Sequence, residues 1–413
     1  MADKSISILV VGFNTRPLAY SLNEAGYDVY AVDFFGDLDL YPYVKDSIII
    51  IKTLNTNYNS LKDKYSKFLA QYTLQLHNKH RDVQFLLIGS GLDDDYEGRK
   101  LILDEIKRSN TKSVNNDPEI IKKARNIELI FEFLKSRGYN IPRSYSFEKF
   151  QSKQYNMEYP FVLKKKRSAG GINVFKLENN TKFTSQIEIL EKKRFIPSEW
   201  LIQEFIEGIP VSCTVISNGK ECEIISINRQ IIGEEYLNPP KKFMYCGNIV
   251  PAGLLKEEEK IISEISINLT KKLGLRGING FDFVLKDHYP FFMECNPRIP
   301  GSIRASESAL NLNLLDLHIK SFISKEWKNI KKLIRSAKPN SVVTKLIFFA
   351  PRDIDRNNLL KINKLDFIHD KSEPTKNILK GEPLCTILYS AKNFSKSYNG
   401  AKKIVNLIES IIE

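Results

Sequence analysis

The sequence has few cysteines and no long apolar run. Its five cysteines are an odd number without C-x-x-C spacing, which excludes a zinc ribbon and a disulfide framework and favours a reducing cytoplasm. No apolar stretch approaches the roughly 20 residues that a membrane helix needs. The segment from Met1 to Val11 is too short, and too acidic at its start, for a signal peptide. We therefore expect a cytoplasmic protein without a membrane partner.

An excess of acidic residues is also absent. Lys and Arg number 62 against 49 Asp and Glu, which gives a formal net charge of +13. Such a balance fits nucleic acid or an anionic substrate, but the lysines are dispersed and mixed with acids. The densest basic run, Lys164 to Arg167, precedes a glycine pair, a location that suits a phosphate better than a duplex. The charge pattern therefore predicts small anionic ligands and no nucleic acid.

With 413 residues the chain is too long for one compact core, so we expect a multidomain protein of mixed α/β and α+β class. Residues 1–115 alternate strands and helices, which predicts a Rossmann-like domain with a small parallel sheet. Its first turn lacks the G-x-G-x-x-G pattern of a dinucleotide site. Asn14, Thr15 and Arg16 in that turn either face a ligand cleft or serve as ordinary cap and turn residues.

The remaining sequence divides into three further units. Apolar residues at helical spacing after Pro118 begin a unit of residues 116–200, whose strands at 161–164 and 174–177 flank a basic and glycine-rich loop. Residues 201–335 contain the strands of an antiparallel sheet and a helix that ends at Gly274. Residues 340–413 are expected to form a small C-terminal α+β domain.

One predicted hairpin carries two carboxylates and an amide. A turn at residues 286–289 sets Asp282 roughly opposite Glu294, and strand alternation places Asn296 on the same face as Glu294. Hard oxygen ligands of this kind suit Mg²⁺ or Mn²⁺ bound together with substrate phosphates. Arg298 adds a forked cation that is able to hold a phosphoryl group or a carboxylate. The segment therefore favours phosphoryl-transfer chemistry.

Two motifs on this hairpin resemble a known family. Gly280-Phe281-Asp282-Phe283-Val284, followed by Phe292-Met293-Glu294-Cys295-Asn296-Pro297-Arg298, resembles the metal-binding hairpin of ATP-grasp enzymes. Within that superfamily the chain is similar to the predicted ATP-dependent carboligases related to biotin carboxylase, a group common in archaea and in some methylotrophic bacteria. Its opening also looks like theirs at Gly12 to Arg16, Ala25-Gly26-Tyr27 and Asp33-Phe34-Phe35-Gly36-Asp37. The resemblance implies an ATP-grasp fold behind a Rossmann-like (pre-ATP-grasp) domain, with ATP and Mg²⁺ or Mn²⁺ as cofactors.

The resemblance also implies roles for individual residues. The metal ligands would be Asp282, Glu294 and Asn296. Arg298 would hold the transferring phosphoryl group or the acyl phosphate, and Lys164 would contact the ATP phosphates. The flap that closes over the phosphates would be Ser168-Ala169-Gly170-Gly171, and the hinge that reads adenine would consist of Gln203, Glu204 and Ile206.

Two departures from the family pattern concern the nucleotide. Gly208 is followed by Ile209 and Pro210 where the family often has a glutamate for the ribose, which leaves Glu207 or another residue for that contact. The second phosphate lysine has no match, and Arg125 stands near its place. Elsewhere, His318 is expected to be a packed helix residue, and Asn248 either contacts substrate or belongs to an ordinary loop.

The family resemblance favours a ligase that activates a substrate carboxylate as an acyl phosphate and couples it to an amine or another nucleophile. Its partners would be small carboxylates and amines, and a homodimer is the default assembly. A second hypothesis is a bicarbonate-dependent carboxylase. A third, of another class, is a nucleotide-binding regulatory or RNA-associated protein that keeps the fold without turnover.

Overall fold

Three β-sheets carry the fold. The computed structural model describes residues 5–61, 64–152, 156–167, 170–193, 195–374 and 377–413. Within these ranges the sheets have five, four and eight strands. The expected combination of α/β and α+β parts is confirmed. No helix in the described ranges is long and apolar enough to cross a lipid bilayer.

The first sheet lies in the N-terminal region, and all its paired strands are parallel. Its elements are β1 (Ser7–Gly12), α1 (Arg16–Glu24), β2 (Asp28–Asp33), β3 (Asp46–Ile49), α2 (Ile50–Thr53), α3 (Tyr58–Leu61), α4 (Tyr65–Lys79), β4 (Phe85–Ile88), α5 (Tyr96–Ile106) and β5 (Lys112–Ser113). The strand order is β3-β2-β1-β4-β5. The Rossmann-like prediction is confirmed.

Strand β1 shows why this sheet is covered on both sides. Ile8 and Val10 belong to one buried cluster, and Leu9 and Val11 belong to another. Successive residues of a strand face opposite sides of the sheet, so β1 needs apolar partners above and below. Helices on both faces supply them.

The turn after β1 is held by side chains. The backbone N–H and the hydroxyl of Thr15 both donate to Oδ2 of Asp33, at 2.6 and 2.8 Å. Oδ1 of Asn14 accepts from the backbone N–H of Arg16 at 3.1 Å. Asn14 and Thr15 therefore take the turn role. Arg16 differs from them, because its buried Nε donates to Oδ1 of Asp370 at 2.8 Å, far along the chain.

The four-stranded sheet follows. The elements of this region are α6 (Pro118–Ala124), α7 (Ile127–Lys135), β6 (Ser144–Ser146), α8 (Phe147–Gln151), β7 (Phe161–Lys165), β8 (Val174–Leu177), α9 (Asn180–Glu191) and β9 (Trp200–Glu204). The antiparallel order is β6-β9-β7-β8, which confirms the two strands predicted around the basic loop. Helices α6 and α7 pack against the core of the large sheet rather than this one. The domain boundaries near residues 115 and 200 stay predictions.

The large antiparallel sheet runs through the rest of the chain. Its region contains β10 (Ile209–Asn218), β11 (Cys222–Ile232), β12 (Tyr245–Val250), α10 (Lys256–Leu273), β13 (Arg276–Lys286), β14 (Tyr289–Asn296), α11 (Ile303–Leu310), α12 (Leu314–Lys320), α13 (Trp327–Ser336), β15 (Val342–Phe349), α14 (Arg356–Ile362), β16 (Ile368–His369), β17 (Pro383–Ala391) and α15 (Phe394–Ile412). The order is β14-β13-β10-β11-β12-β15-β17-β16. Because β15 pairs with β12, the residues after 340 extend the same sheet.

His318 joins the N-terminal region to the large sheet. Its Nδ1 accepts from the backbone N–H of Ile278 at 2.9 Å, so its Nε2 carries the proton and donates to the carbonyl of Val114 at 2.8 Å. The ring is 3% exposed, as predicted for a packed residue. Gly277 has φ +68°, and a Cβ there would lie 2.4 Å from Cε1 of His318. Only glycine fits beside this ring.

Candidate functional site

Asp282 on β13 and Glu294 on β14 lie directly opposite each other in the antiparallel ladder. Residues opposite each other project from the same face, as the sequence predicted for these two carboxylates. Asn296, two residues further, stands opposite Gly280, and its Nδ2 donates to Oδ2 of Asp282 at 2.7 Å. The two carboxylates and the amide therefore meet at one place.

A β-bulge makes this arrangement possible. Phe283 pairs with Phe292 and Asp282 pairs with Glu294, so Met293 is an extra residue in the ladder. Strict alternation would put Phe292 and Glu294 on one face, but Phe292 is fully buried in the core while 28% of the Glu294 side chain is exposed. Bulges redirect side chains in this way next to functional sites. The sequence pattern gave no sign of this extra residue.

Two side chains from other strands hold the carboxylates. Nζ of Lys164 on β7 lies 3.1 Å from Oε2 of Glu294, and 18% of the Lys164 side chain is exposed. Nε2 of Gln230 on β11 donates to Oδ1 of Asp282 at 3.0 Å. Lys164 belongs to the four-stranded sheet, so the ion pair connects that sheet to the hairpin of the large sheet.

The two carboxylates have opposite pKa shifts. Burial raises the pKa of Asp282 to about 7, and the charge of Glu294 adds to this effect. Burial also opposes ionisation of Glu294, but the charges of Lys164 and Arg125 outweigh it and lower the pKa of Glu294 to about 2. Glu294 is therefore a fixed anion, and a further cation close by would favour the charged form of Asp282.

This donor set fits a hard divalent cation. Two opposed carboxylates and an amide oxygen match the preference of Mg²⁺ and Mn²⁺ for oxygen ligands, with positions left for water and phosphate. Burial, and next the charge of Glu294, raise the pKa of Asp282 despite the opposing charges of Arg298 and Lys164, so the charged form of Asp282 is poorly stabilised by the protein alone. A bound divalent ion would supply the missing positive charge.

A cleft opens beside the hairpin, between the four-stranded sheet and helices α6 and α7. It contains about 360 Å³ of open space. Arg125, Lys164, Gln203 and Glu294 are among its lining residues. The cleft therefore brings together members of the predicted phosphate, hinge and metal groups, and it includes the arginine that stands near the place of the missing second lysine.

Two consecutive aspartates of the N-terminal region hold the two arginines of the site. Nε of Arg298 lies 2.5 Å from Oδ1 of Asp93. Arg125 contacts both oxygens of Asp94, with distances of 3.2 Å from Nε and 3.1 Å from Nη2. Burial raises the pKa of Asp93, but the charge of Arg298 outweighs this and lowers it. Neither aspartate was predicted from the sequence, although both follow the carboxyl end of β4, where open parallel sheets place ligand-facing residues.

The predicted flap is described in part. Ser168 and Ala169 lie outside the described residues. Gly170 and Gly171 have φ values of +67° and +74°, in the left-handed region. A Cβ at Gly171 would lie 1.8 Å from the carbonyl oxygen of Phe243, whereas one at Gly170 would meet no atom within 4 Å. The turn after the basic run therefore lies against the loop before β12.

The hinge residues lie at the end of β9. Gln203 is 4% exposed, and its Nε2 donates to the Ser144 hydroxyl at 3.0 Å. The Glu204 carboxylate accepts from the backbone N–H of Arg143 at 3.1 Å. Ile206 is buried and Glu207 is exposed. Gln203 borders the cleft, but the adenine and ribose contacts stay predictions.

A row of polar side chains continues from the hairpin across the large sheet. The strand registers place its members on one face, namely Glu294, Asp282, Ser212, Asn228, Gln230, Asn248 and Lys345. Oδ1 of Asn228 and Nδ2 of Asn248 are buried and have no hydrogen-bond partner among the described residues. We call this set the polar row. Beyond the hairpin, only Asn248 of the polar row was a candidate from the sequence, although polar residues at alternate positions of apolar strands were a usable signal.

Comparisons with known proteins find one matching family model and several relatives of similar sequence. A family model described as an ATP-grasp domain matches residues 126–302. An uncharacterized protein of Methanocaldococcus jannaschii is 29% identical over 387 residues, which cover 93% of this chain and 88% of that protein. The D-alanine-D-alanine ligase of Leptospira interrogans (serogroup Icterohaemorrhagiae, serovar copenhageni) is 26% identical over 161 residues. That match covers 38% of this chain and 45% of the ligase, so the chain spans less than half of it.

Solved structures share the architecture along almost the whole chain. The L-amino acid ligase of Bacillus licheniformis has a TM-score of 0.69 at 15% identity, with 98% of both chains covered. The biotin carboxylase of Campylobacter jejuni has a TM-score of 0.68 at 14% identity, with 98% of this chain and 95% of that one covered.

The fold is therefore the ATP-grasp fold, and an ATP-grasp domain model matches the middle part of the chain. The matched residues 126–302 include the predicted phosphate lysine, the flap, the hinge and the opposed carboxylates. The narrower carboligase group named from the sequence stays a prediction.

Proposed function

We propose that this protein is an Mg·ATP-dependent, ADP-forming ligase that activates a carboxylate as an acyl phosphate and couples it to an amine. One observation carries the proposal: Asp282 and Glu294 lie directly opposite each other on the face where Lys164 reaches Glu294, beside a cleft that Arg125 also lines. Anionic ligands for a cation and cationic ligands for phosphates thus occur side by side.

The chain's own residues provide charge and position in this proposal. Lys164 and Arg125 hold the phosphates of ATP, and Arg298 holds the transferring phosphoryl group or the acyl phosphate. Phosphoryl transfer depends chiefly on such positioning and charge stabilisation, because it needs little covalent participation from the protein. A magnesium ion held by Asp282, Glu294 and Asn296 would neutralise charge on the phosphates. The flap glycines allow the chain to cover the site and exclude water, which would hydrolyse an acyl phosphate.

The names of similar proteins favour amide-bond formation. One relative is a D-alanine-D-alanine ligase, and one protein of the same fold is an L-amino acid ligase. By extension we propose small carboxylates and amines as substrates of this chain, in a cytoplasmic setting. Biotin carboxylase shares the fold as well, so bicarbonate is also tested as a substrate.

The test is ADP release from Mg·ATP, measured with pairs of carboxylates and amines and separately with bicarbonate. An active pair is then repeated with the carboxylate labelled with ¹⁸O, because breakdown of an acyl phosphate by an amine transfers one labelled oxygen to phosphate. The Glu294→Gln variant should lose about a hundredfold or more in turnover. Glu257→Gln, at an exposed site on α10, is the matched control and should retain full activity.

Three outcomes would contradict this function. ADP release that requires bicarbonate and no amine would favour a carboxylase. Phosphate without the label would exclude the acyl phosphate. Salt-sensitive RNA binding without ADP release would favour a binding protein that has the fold but no turnover.

A further inference from the structure

A second group of buried charges lies away from the hairpin, at the carboxyl end of the parallel sheet. Asp33 ends β2, and Asp37 and Asp39 follow in the next loop. Arg16 begins α1, and Asp370 follows β16 of the large sheet. The proposed ligase function assigns no role to this group, although Asp33 to Asp37 is part of the segment that carries the family resemblance.

Three of the four carboxylates in this group accept hydrogen bonds. Asp33 accepts from Thr15 and from the backbone N–H of Gly36, the latter at 2.6 Å. Asp39 accepts from the backbone N–H groups of residues 370 and 371 at 3.1 and 2.8 Å. Asp370 accepts from Nε of Arg16 at 2.8 Å. These contacts fix the loop and join it to the segment after β16.

Asp37 is the exception. Its carboxylate makes no hydrogen bond or ion pair with any residue in the described ranges, although the residue is only 9% exposed. Burial raises the pKa of Asp37 well above its usual range, and the charges of Asp370, Asp33 and Asp39 raise it further against the opposing charge of Arg16. A buried carboxylate without a partner is costly, so a functional reason for it is expected.

Arg16 and Lys345 are two nearby cations, and both contact groups other than Asp37. Arg16 is paired with Asp370 at 2.8 Å and lies 3.5 Å from Asp39. Nζ of Lys345 donates to the carbonyl of Gly301 at 2.9 Å, and the charge of Asp370 acts on Lys345. Neither forms an ion pair with Asp37, so the Asp37 carboxylate lacks a counterion among the described residues.

This group also borders the end of the polar row. Lys345 is the last member of the row, and Asp370 acts electrostatically on it. At the other end of the row lies Asp282 with the proposed metal site. Open α/β sheets bind ligands at the carboxyl ends of their strands, which is where Arg16 and Asp37 lie. A substrate that lies along the row would therefore extend from the phosphate site towards the charged group that contains Asp37.

We propose that Asp37 binds the ammonium group of an amine or amino-acid substrate. This inference rests on the proposed ligase function and assigns the amine end of its substrate. An ammonium group supplies one positive charge and N–H donors, which the unpaired carboxylate lacks. A metal ion fits less well at Asp37, because the neighbouring carboxylates of Asp33, Asp39 and Asp370 already accept hydrogen bonds from the protein.

A first experiment needs no knowledge of the substrate. The melting temperatures of the full chain and of Asp37→Asn are compared at pH 7.5 without ligands. Removing an uncompensated buried charge should raise the melting temperature by about 2 °C or more. A lower or unchanged melting temperature would mean that the fold already stabilises the carboxylate, and would overturn the proposal. Asp104→Asn, on an exposed face of α5, is the matched control and should change the melting temperature little.

A second experiment measures binding by calorimetry. The probes are the twenty amino acids, ethanolamine and putrescine, together with their N-acetylated forms, which have no ammonium group. At least one free amine should bind the wild-type chain. The same amine should bind Asp37→Asn about tenfold more weakly or worse, and its N-acetylated form should not bind the wild-type chain. No binding by any probe, equal binding by Asp37→Asn, or equal binding of an acetylated form would each overturn the proposal. Binding of Mg²⁺ or Ca²⁺ that requires Asp37 would do the same.

The amine site at Asp37 and the ligase function can be tested separately. Asp37→Asn should bind Mg·ATP with the wild-type affinity, whereas Glu294→Gln should lose Mg·ATP binding and keep the amine. Loss of amine binding together with intact Mg·ATP binding is the signature of the Asp37 site. Loss of Mg·ATP binding in Asp37→Asn would show that this residue supports the nucleotide site instead, and would overturn its assignment to the amine.

Discussion

Gly171 and Phe243 approach each other so closely that a Cβ atom at residue 171 would lie 1.8 Å from the Phe243 carbonyl oxygen. Gly171 belongs to the predicted flap, and Phe243 precedes β12. Nζ of Lys241 donates to the carbonyl of Ile172 at 2.8 Å and adds a second link between the two loops. The glycine thus allows the flap to lie against the loop before β12.

This contact predicts a specific effect of Gly171→Ala. The added methyl group should keep the flap away from residue 243 and lower kcat/KM for ATP on the order of tenfold to a hundredfold. Gly170→Ala is the matched control, since Gly170 also has positive φ but open space around it. Steady-state ADP release measures both. Equal losses in the two variants would show that backbone strain, not the contact, limits the flap.

Arg125→Ala should weaken ATP binding by about tenfold or more, because a charge-assisted contact to phosphate contributes roughly 1.5 to 3 kcal/mol. Arg125→Lys should recover part of this affinity, but it cannot reproduce the two-atom contact with Asp94. Titration with a fluorescent ATP analogue measures both variants. Arg137→Ala, whose guanidinium lies over the Phe133 ring, is the control. Unchanged affinity in Arg125→Ala would remove this residue from the phosphate site.

Asp282→Asn should separate stability from function. Burial and the charge of Glu294 raise the pKa of Asp282 to about 7, so a neutral amide removes repulsion and should increase the free energy of unfolding of the metal-free chain by about 1 kcal/mol. Metal-dependent ADP release should fall about a hundredfold. Urea unfolding and turnover are measured side by side, with Asp366→Asn at an exposed site as control. A destabilised Asp282→Asn would contradict the repulsion.

His318 predicts how stability depends on pH. Burial lowers the pKa of His318 to about 4, from an ordinary value of 6.5. Above pH 6.5 the imidazole is neutral in both the folded and unfolded states. As pH falls from 6.5 towards 4, only the unfolded chain binds the proton, and the folded state loses up to about 3 kcal/mol.

His318→Gln should be less stable at pH 7.5, because the bond to Val114 or to Ile278 is weakened. Its stability should, however, fall less steeply between pH 6.5 and 5. Urea unfolding at several pH values measures the difference between wild type and variant. Parallel pH profiles for the two proteins would exclude His318 as the cause.

The sequence was sufficient to predict the hairpin and the parallel sheet, because both depend on local patterns. Alternating and continuous apolar runs define the strands, and the two-residue turn at Asp287 and His288, both with positive φ, fixes the register. The bulge at Met293 was not predictable, since no single residue type encodes an extra ladder position. Its consequence, that Phe292 and Glu294 face opposite sides, appears only in three dimensions.

Contacts between distant segments were equally beyond the sequence. Asp93 and Arg298 are 205 positions apart, and Arg16 and Asp370 are 354 positions apart. Neither pair follows from periodicity or spacing, because each depends on how the N-terminal sheet packs against the large sheet. Residue type indicated which side chains could carry charge, but not which of them lack a counterion, so a ligand-binding role for Asp37 was not predictable.

The ion pairs of Asp93 with Arg298 and of Asp94 with Arg125 connect the N-terminal region to the rest of the chain. In the whole chain the side chains of Arg298 and Arg125 are only 16% and 6% exposed. A fragment that begins at residue 116 would keep both arginines but lose the carboxylates of Asp93 and Asp94 that pair with them. It would also lose the carbonyl of Val114 that accepts from His318. The residues from 116 onwards are therefore expected to need the N-terminal region for stable folding. Recombination with a foreign N-terminal region at this junction should destabilise the product.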